Sequence, residues 1–230
     1  MKGKVNRKLY YKEQFVFKGD EVKKAVVRNY RKEDFGAMID IQRECFPPPF
    51  PNELLWNEQQ LSNHLEYYPE GALCVEIDGE LAGSLTGMLV TYDLGDLRHT
   101  WEEVTDRGYI TTHEPDGNSF YIVDIGIKPA FRKMELGRLL LQSVYERVVE
   151  DRLERVIGGG RMPGYKRFAG EMSAEQYAGK VLAGELKDPV ITFLMRAGRT
   201  PVAVIEGYLE DEDSGDHALL MEWKNPFIGK

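Results

Sequence analysis

Along this chain the period of the apolar positions changes repeatedly, and each change predicts an element. KKAVVRNY, residues 23 to 30, reads as a strand, and a short strand also fits residues 14 to 18. In RKEDFGAMIDIQRECF, the residues Phe35, Met38, Ile39, Ile41 and Cys45 recur at helical spacing, and the prolines of FPPPFPN stop that helix. Residues 54 to 65 suit a second helix. Leu73, Val75 and Ile77 then alternate, Asp78–Gly79 supplies a tight turn, and residues 81 to 90 return as the second arm of a hairpin. Residues 92 to 118 are polar and loop-like, with Trp101 and an acidic patch from Glu102 to Asp106. NSFYIVDIGI is the next strand. Leu136, Leu139, Leu140, Val144 and Val148 share one face of a helix after it. LERVIGGGR is a strand ending in glycines. SAEQ, residues 173 to 176, is a capping box that opens a short helix with Tyr177 and Val181 inward. In DPVITFLMRAG, Asp188 is placed as an N-cap, Pro189 in the first turn and Gly198 at the end. TPVAVIEGYL and HALLMEWK close the chain as two strands around EDEDSGD.

The order is strand, two helices, three strands, helix, strand, helix, two strands. That predicts an α/β protein with a mixed, mostly antiparallel central sheet flanked by helices. A doubly wound dinucleotide fold would need more regular strand–helix–strand units. Over 230 residues the pattern fits a basic N-terminal extension, residues 1–23, and one domain, residues 24–230, with insertions at about 92–118 and 162–188.

Charge sharpens this picture. Residues 1 to 31 carry ten Lys or Arg against three Asp or Glu, a local charge of +7; with a total of −8, the rest is −15. An acidic body disfavours nucleic acid, which needs a concentrated positive surface. No apolar run approaches the roughly 20 residues of a membrane span, and the first 30 residues lack a signal peptide's apolar core. Two cysteines, Cys45 and Cys74, make no disulfide framework, and four scattered histidines give no metal spacing. The expectation is a cytoplasmic protein without a metal site.

The chemistry concentrates in FRKMELGR, residues 131 to 138, between a strand and a helix start. Arg132, Lys133 and Arg138 surround amide groups that a helix N-terminus leaves free, an arrangement suited to phosphate. Gly137 permits close approach of a ligand, whereas the carboxylate of Glu135 would repel phosphate unless it points outward. A charged strand–helix connection accounts for the same residues.

The run DIGIKPAFRKMELGRLL resembles the central motif of the GNAT superfamily of N-acetyltransferases. Ile125, Gly126, Ile127 and Pro129 match its strand part, Arg132 its Arg/Gln, and Gly137 its last Gly/Ala. Glu135 stands where the motif has its middle glycine, and Lys133 where a glycine often follows the arginine. The resemblance runs in element order over residues 24 to 208. It implies a sheet that splays between its fourth and fifth strands, counted from KKAVVRNY. It also implies acetyl-CoA as co-substrate, with pantetheine beside Ile125, Gly126 and Ile127 and pyrophosphate on Arg132, Lys133, Met134, Glu135, Leu136, Gly137 and Arg138. IQRECFPPPF, SFYIVDIGIKPAFRKMELG and GGGRMPGY resemble, more narrowly, the acetyltransferase-like module often found ahead of a carbon–nitrogen hydrolase domain. That resemblance implies a hydrolase partner.

Amine acylation needs a neutral amine, hence a base or a desolvating site, since a free lysine amine titrates near about 10.4. It also needs a donor to the oxygen of the tetrahedral intermediate, for which the Ile127 N–H is placed. Asp124, beside the implied thioester site, is the acidic candidate; facing away or capping a turn accounts for the same residue. Tyr121, read as lying on the opposite strand face, could relay a proton through water. The family's helix tyrosine, four residues before a Gly–Phe pair, is missing: Gly198 matches the glycine, but Leu194 and Arg199 take the other places. Tyr165 could stand in, or simply pack. Arg161 could hold a ligand carboxylate or phosphate, or form a surface ion pair. Cys74 reads as a buried strand residue. The expected function is N-acyl transfer from acetyl-CoA to a primary amine, on a small molecule or a protein, by direct attack. The alternative is a non-catalytic acyl-CoA-binding or protein-interaction module. The 162–188 insertion is placed either to cover the cleft or to make a homodimer contact.

Overall fold

The computed structural model describes residues 9–93, 95 and 99–228. Its elements are β1 (Tyr11–Lys18), β2 (Glu21–Asn29), α1 (Phe35–Cys45), α2 (Glu58–Tyr67), β3 (Ala72–Ile77), β4 (Glu80–Val90), α3 (Trp101–Thr105), β5 (Ser119–Ile127), α4 (Leu136–Glu150), β6 (Arg155–Arg161), α5 (Ala174–Leu182), α6 (Pro189–Arg196), β7 (Thr200–Ile205) and β8 (Ala218–Lys224). They build one eight-stranded sheet in the order β1-β2-β3-β4-β5-β6-β8-β7. All neighbours are antiparallel except β5 and β6. This is the mixed, mostly antiparallel sheet that the pattern predicts.

Residues 11–18 of the basic leader are part of the sheet, and its residues 1–8 lie outside the described residues. β1 pairs with β2 along its whole length, from Tyr11 opposite Arg28 to Lys18 opposite Glu21. The boundary placed at 23/24 therefore falls inside β2. Sequence pattern undersold β1 because an edge strand leaves most residues in water: only Val16 in it is buried. The second helix starts at Glu58, where Asn57 caps it and accepts from Gln60 N–H, rather than at 54. The 92–118 segment holds α3, whose Trp101 indole donates to the Val123 carbonyl at 2.9 Å.

β5 and β6 pair over only three positions, Ser119–Arg155, Phe120–Val156 and Tyr121–Ile157. Beyond Tyr121 the two strands part, and the sheet opens into a cleft. These are the fourth and fifth strands counted from KKAVVRNY, so the predicted splay is where the motif implied. The core on one face is α4, buried through Leu136, Leu139, Leu140, Leu141, Val144 and Val148. On the other face α1 packs through Phe35, Met38 and Ile41.

The 162–188 insertion is tied down by one buried side chain. Asp188 caps α6 by accepting from Val190 and Ile191 N–H, and its other oxygen accepts from Gly164 N–H at 3.0 Å and the Tyr177 hydroxyl at 2.9 Å. The Ser173 capping box of α5 is formed.

Candidate functional site

A bulge in β5 decides which side chains face each other. Thr86 lies opposite Asp124 and Gly87 opposite Ile122, so Val123 is the extra residue. Met88 lies opposite Tyr121. Because Thr86 and Met88 share a face of β4, Asp124 and Tyr121 share a face of β5. Tyr121 thus lies on the same face as Asp124 and not on the opposite one: simple alternation along the strand omits the bulge, which reverses it. Tyr121 is fully buried and hydrogen-bonded to the Tyr208 hydroxyl at 2.6 Å. Gly159 N–H of β6 donates to that Tyr208 oxygen at 3.1 Å. The tyrosine pair thereby bridges β5 and β6 at the apex of the cleft. Burial raises the Tyr121 hydroxyl well above its ordinary range, holding it neutral.

Asp124 sits further out, on the β5 lip. Gln42 of α1 donates to its Oδ2 at 2.7 Å. The residue is half-buried, and the protein around its carboxyl lifts the pKa to about 7 by desolvation, against the lowering effects of Gln42, Arg161 and Ile125 N–H. Gln42 was not singled out from sequence. Its signal was a polar residue four positions after Met38 on the buried side of a helix.

The donors expected for the cofactor follow along β5. Lys128 N–H turns toward β4 and bonds Ala82 O at 2.9 Å. By alternation Ile127 turns its backbone to the opposite, cleft-facing edge, and its carbonyl accepts from Arg132 Nε at 3.4 Å. The next loop leads into α4, whose bonded backbone begins with Leu139 N–H donating to Glu135 O at 3.1 Å. The amides before it, from Lys133 to Arg138, have no carbonyl partner among the described residues. Lys133 and Glu135 are in the left-handed region, with φ of 68° and 59°. These are the two positions where the motif has glycine, so the loop keeps a glycine conformation with larger side chains in it. Met134, buried between them, anchors the loop. The Glu135 carboxylate points into solvent, 3.9 Å from Arg138 Nε.

Gly137 also has a packing role. A Cβ there would lie 2.9 Å from Cζ of Phe193, so its hydrogen lets α6 pack on α4. Between these helices a groove of about 470 Å³ is lined by Glu135, Arg138, Lys187, Thr192, Phe193 and Arg196, among others. It places three cations beside the phosphate loop.

Tyr165 is buried, with its ring beside Tyr177 and His217, and its hydroxyl donates to the Met172 carbonyl at 3.2 Å. The packing reading describes it. Arg161, on the β6 lip, is bound by two 2.7 Å hydrogen bonds to Asp211, with Phe46 and Phe50 against its guanidinium. Sequence could not show this cluster, since it joins the end of β6 to two loops far apart in the chain. Cys45 and Cys74 are both pushed up to about 12, chiefly by burial. Among the described residues no cluster of three or more His, Cys, Asp or Glu could hold a metal, and no helix is long and apolar enough to cross a membrane.

A sheet splayed beside a bulged strand, with free amides at the following helix start, is a cleft with an anion-binding turn at its side, the layout that the GNAT resemblance implies for acyl-CoA. The comparisons agree. The acetyltransferase (GNAT) family model matches residues 35–162. The chain is 47% identical over 219 residues to the uncharacterized N-acetyltransferase YkwB of Bacillus subtilis (strain 168), across 95% of this chain and 97% of that one. It is 38% identical over 204 residues to the probable hydrolase YhcX of the same organism, across 88% of this chain but only 39% of that one. Among solved structures, the GNAT-like decarboxylase GphF in complex with isobutyryl-CoA has a TM-score of 0.74 at 23% identity, over 86% of this chain and 98% of that one. The chain belongs to the GNAT family.

Proposed function

We propose that this protein moves an acetyl group from acetyl-CoA to a primary amine by direct attack. The observation that carries the reading is Asp124, a half-buried residue on the cleft lip whose carboxyl has a pKa of about 7. A base whose pKa lies near the working pH is half ionised there and suits proton transfer. The amine nitrogen attacks the thioester carbonyl, its proton passes to Asp124, and the carbon–sulfur bond breaks as the thiolate leaves and takes up a proton. The Ile127 N–H, turned to the cleft, is the donor for the developing oxyanion. The free amides of Lys133 to Arg138 would take the pyrophosphate, and Arg138, Lys187 and Arg196 would attract the remaining phosphate. Thiols near 12 are poor acyl acceptors at neutral pH, which favours direct attack over an acyl-cysteine intermediate.

The test is thiol release from acetyl-CoA over an amine panel. Asp124→Asn is expected to lower kcat by about 10²- to 10⁴-fold with acetyl-CoA affinity kept. Full activity in that variant would remove Asp124 from the mechanism. Tight acetyl-CoA binding without turnover on any amine would instead favour the binding-module reading, which the side chains at positions 133 and 135 and the missing helix tyrosine support.

A further inference from the structure

We infer that the acceptor is a small amino acid, its amine received by Asp124 and its carboxylate by Arg161. The inference rests on the N-acyl-transfer reading of the cleft and names that site's substrate class.

Strand register puts the two groups on opposite lips of one opening, on the same face. Tyr121 pairs with Ile157, and in a parallel pair registered residues share a face. Ile157, Gly159 and Arg161 alternate onto that face, and β6 pairs regularly with β8 from Arg155 to Arg161. The β5 bulge turns Asp124 to the same face as Tyr121. A carboxyl thus stands on one lip and a guanidinium on the other. Arg161 acts on Asp124 across the gap, favouring its charged form.

Arg161 is built to present donors. Its Nε and Nη2 are held at 2.7 Å by Asp211, whose side chain is only 3% exposed. The rings of Phe46 and Phe50 lie 5.5 and 4.8 Å from its central carbon. A guanidinium fixed along one edge and shielded by aromatic rings loses little freedom on binding an anion. Among the described residues its Nη1 has no hydrogen-bond partner, and the side chain remains 21% exposed. On the other lip, Gln42 donates to Asp124 Oδ2 and Ile125 N–H also donates to the carboxyl, which leaves two of an ionised carboxylate's roughly four acceptor sites. A zwitterion would satisfy both lips. A simple amine would leave Nη1 without an anion.

The experiment is calorimetry on the protein saturated with CoA, with N-acetylleucine, the uncharged N-acetylleucinamide and, in a separate arm without CoA, malonyl-CoA against acetyl-CoA. The acid is expected to bind wild type about tenfold or more tighter than the amide, a charge-assisted hydrogen bond. Arg161→Gln should abolish that preference and Arg161→Lys should recover part of it. An acid that binds wild type no better than its amide, or not at all, overturns the inference, and this arm needs no variant to fold. An Arg161-dependent advantage for malonyl-CoA in place of the acid also overturns it, because the carboxylate would then belong to the acyl chain. Acid-over-amide binding without acetyl transfer to leucine would support the anion site while sinking the transfer chemistry.

Discussion

Asp124 is a carboxyl whose surroundings oppose its charge. Its folded pKa, about 7, lies above the ordinary carboxyl range, so the folded protein holds this proton more tightly than the unfolded chain. The penalty begins to grow above pH ~4 and is complete above pH ~7. Asp124→Asn, which keeps an oxygen for Gln42, is therefore expected to stabilise the fold by roughly 1–3 kcal/mol at pH 8.5, and by much less at pH 5. Urea denaturation at the two pH values checks the sign; an equal effect at both would mean that burial does not shift this group. The phosphate loop offers the second residue-scale prediction. A left-handed conformation costs a side chain about 1–2 kcal/mol, so Lys133→Gly and Glu135→Gly should each raise stability by about 0.5–1 kcal/mol. Only Glu135→Gly should also tighten acetyl-CoA, because it removes a negative charge beside the phosphates, whereas Lys133→Gly removes a positive one. Melting curves and calorimetry separate the two effects.

At the scale of elements, Asp188 links α6, α5 and the Gly164 turn through four accepted hydrogen bonds. Asp188→Ala leaves buried donors unmatched and removes a cap, so a loss of about 3 kcal/mol is expected, with Asp188→Asn intermediate. A loss under about 1 kcal/mol would show that the insertion does not depend on this residue. The cap itself was readable as Asp-Pro before an apolar helix. Its bonds to Gly164 and Tyr177 were not, since they depend on where a loop 24 residues earlier returns. The same division holds for β5. Its strand character was plain from YIVDIGI, but the bulge that turns Asp124 toward Tyr121's face arises from pairing with β4 and leaves no mark in the alternation of one strand.

At the scale of the molecule, the sheet has two halves whose backbones pair, among the described residues, only along the short β5–β6 stretch, with the Tyr121–Tyr208 bond beside it. β1 lies at the far edge of the half containing β5. Deleting residues 1 to 18 should cost about 2 kcal/mol, chiefly the burial of Val16 and its partners, and lower Tm by roughly 5 °C. Acetyl-CoA affinity should be unchanged, because β2, β3 and β4 stand between β1 and the cleft; a large loss of binding would tie the hairpin to the site. The sequence by itself determined the class of fold, most element positions, the capped helices and the loop residues 132 to 138, because those rest on local periodicity, turn chemistry and a contiguous motif. Tertiary structure decided the rest. It showed that Lys133 and Glu135 adopt a glycine's backbone, that Gly137 serves helix packing, and that Tyr165 packs while Tyr208 closes the cleft. It also set Gln42 and Arg161 around Asp124. Each of these depends on which distant segments come into contact, and a side chain's charge, exposure and partners follow from that contact rather than from its neighbours in the chain.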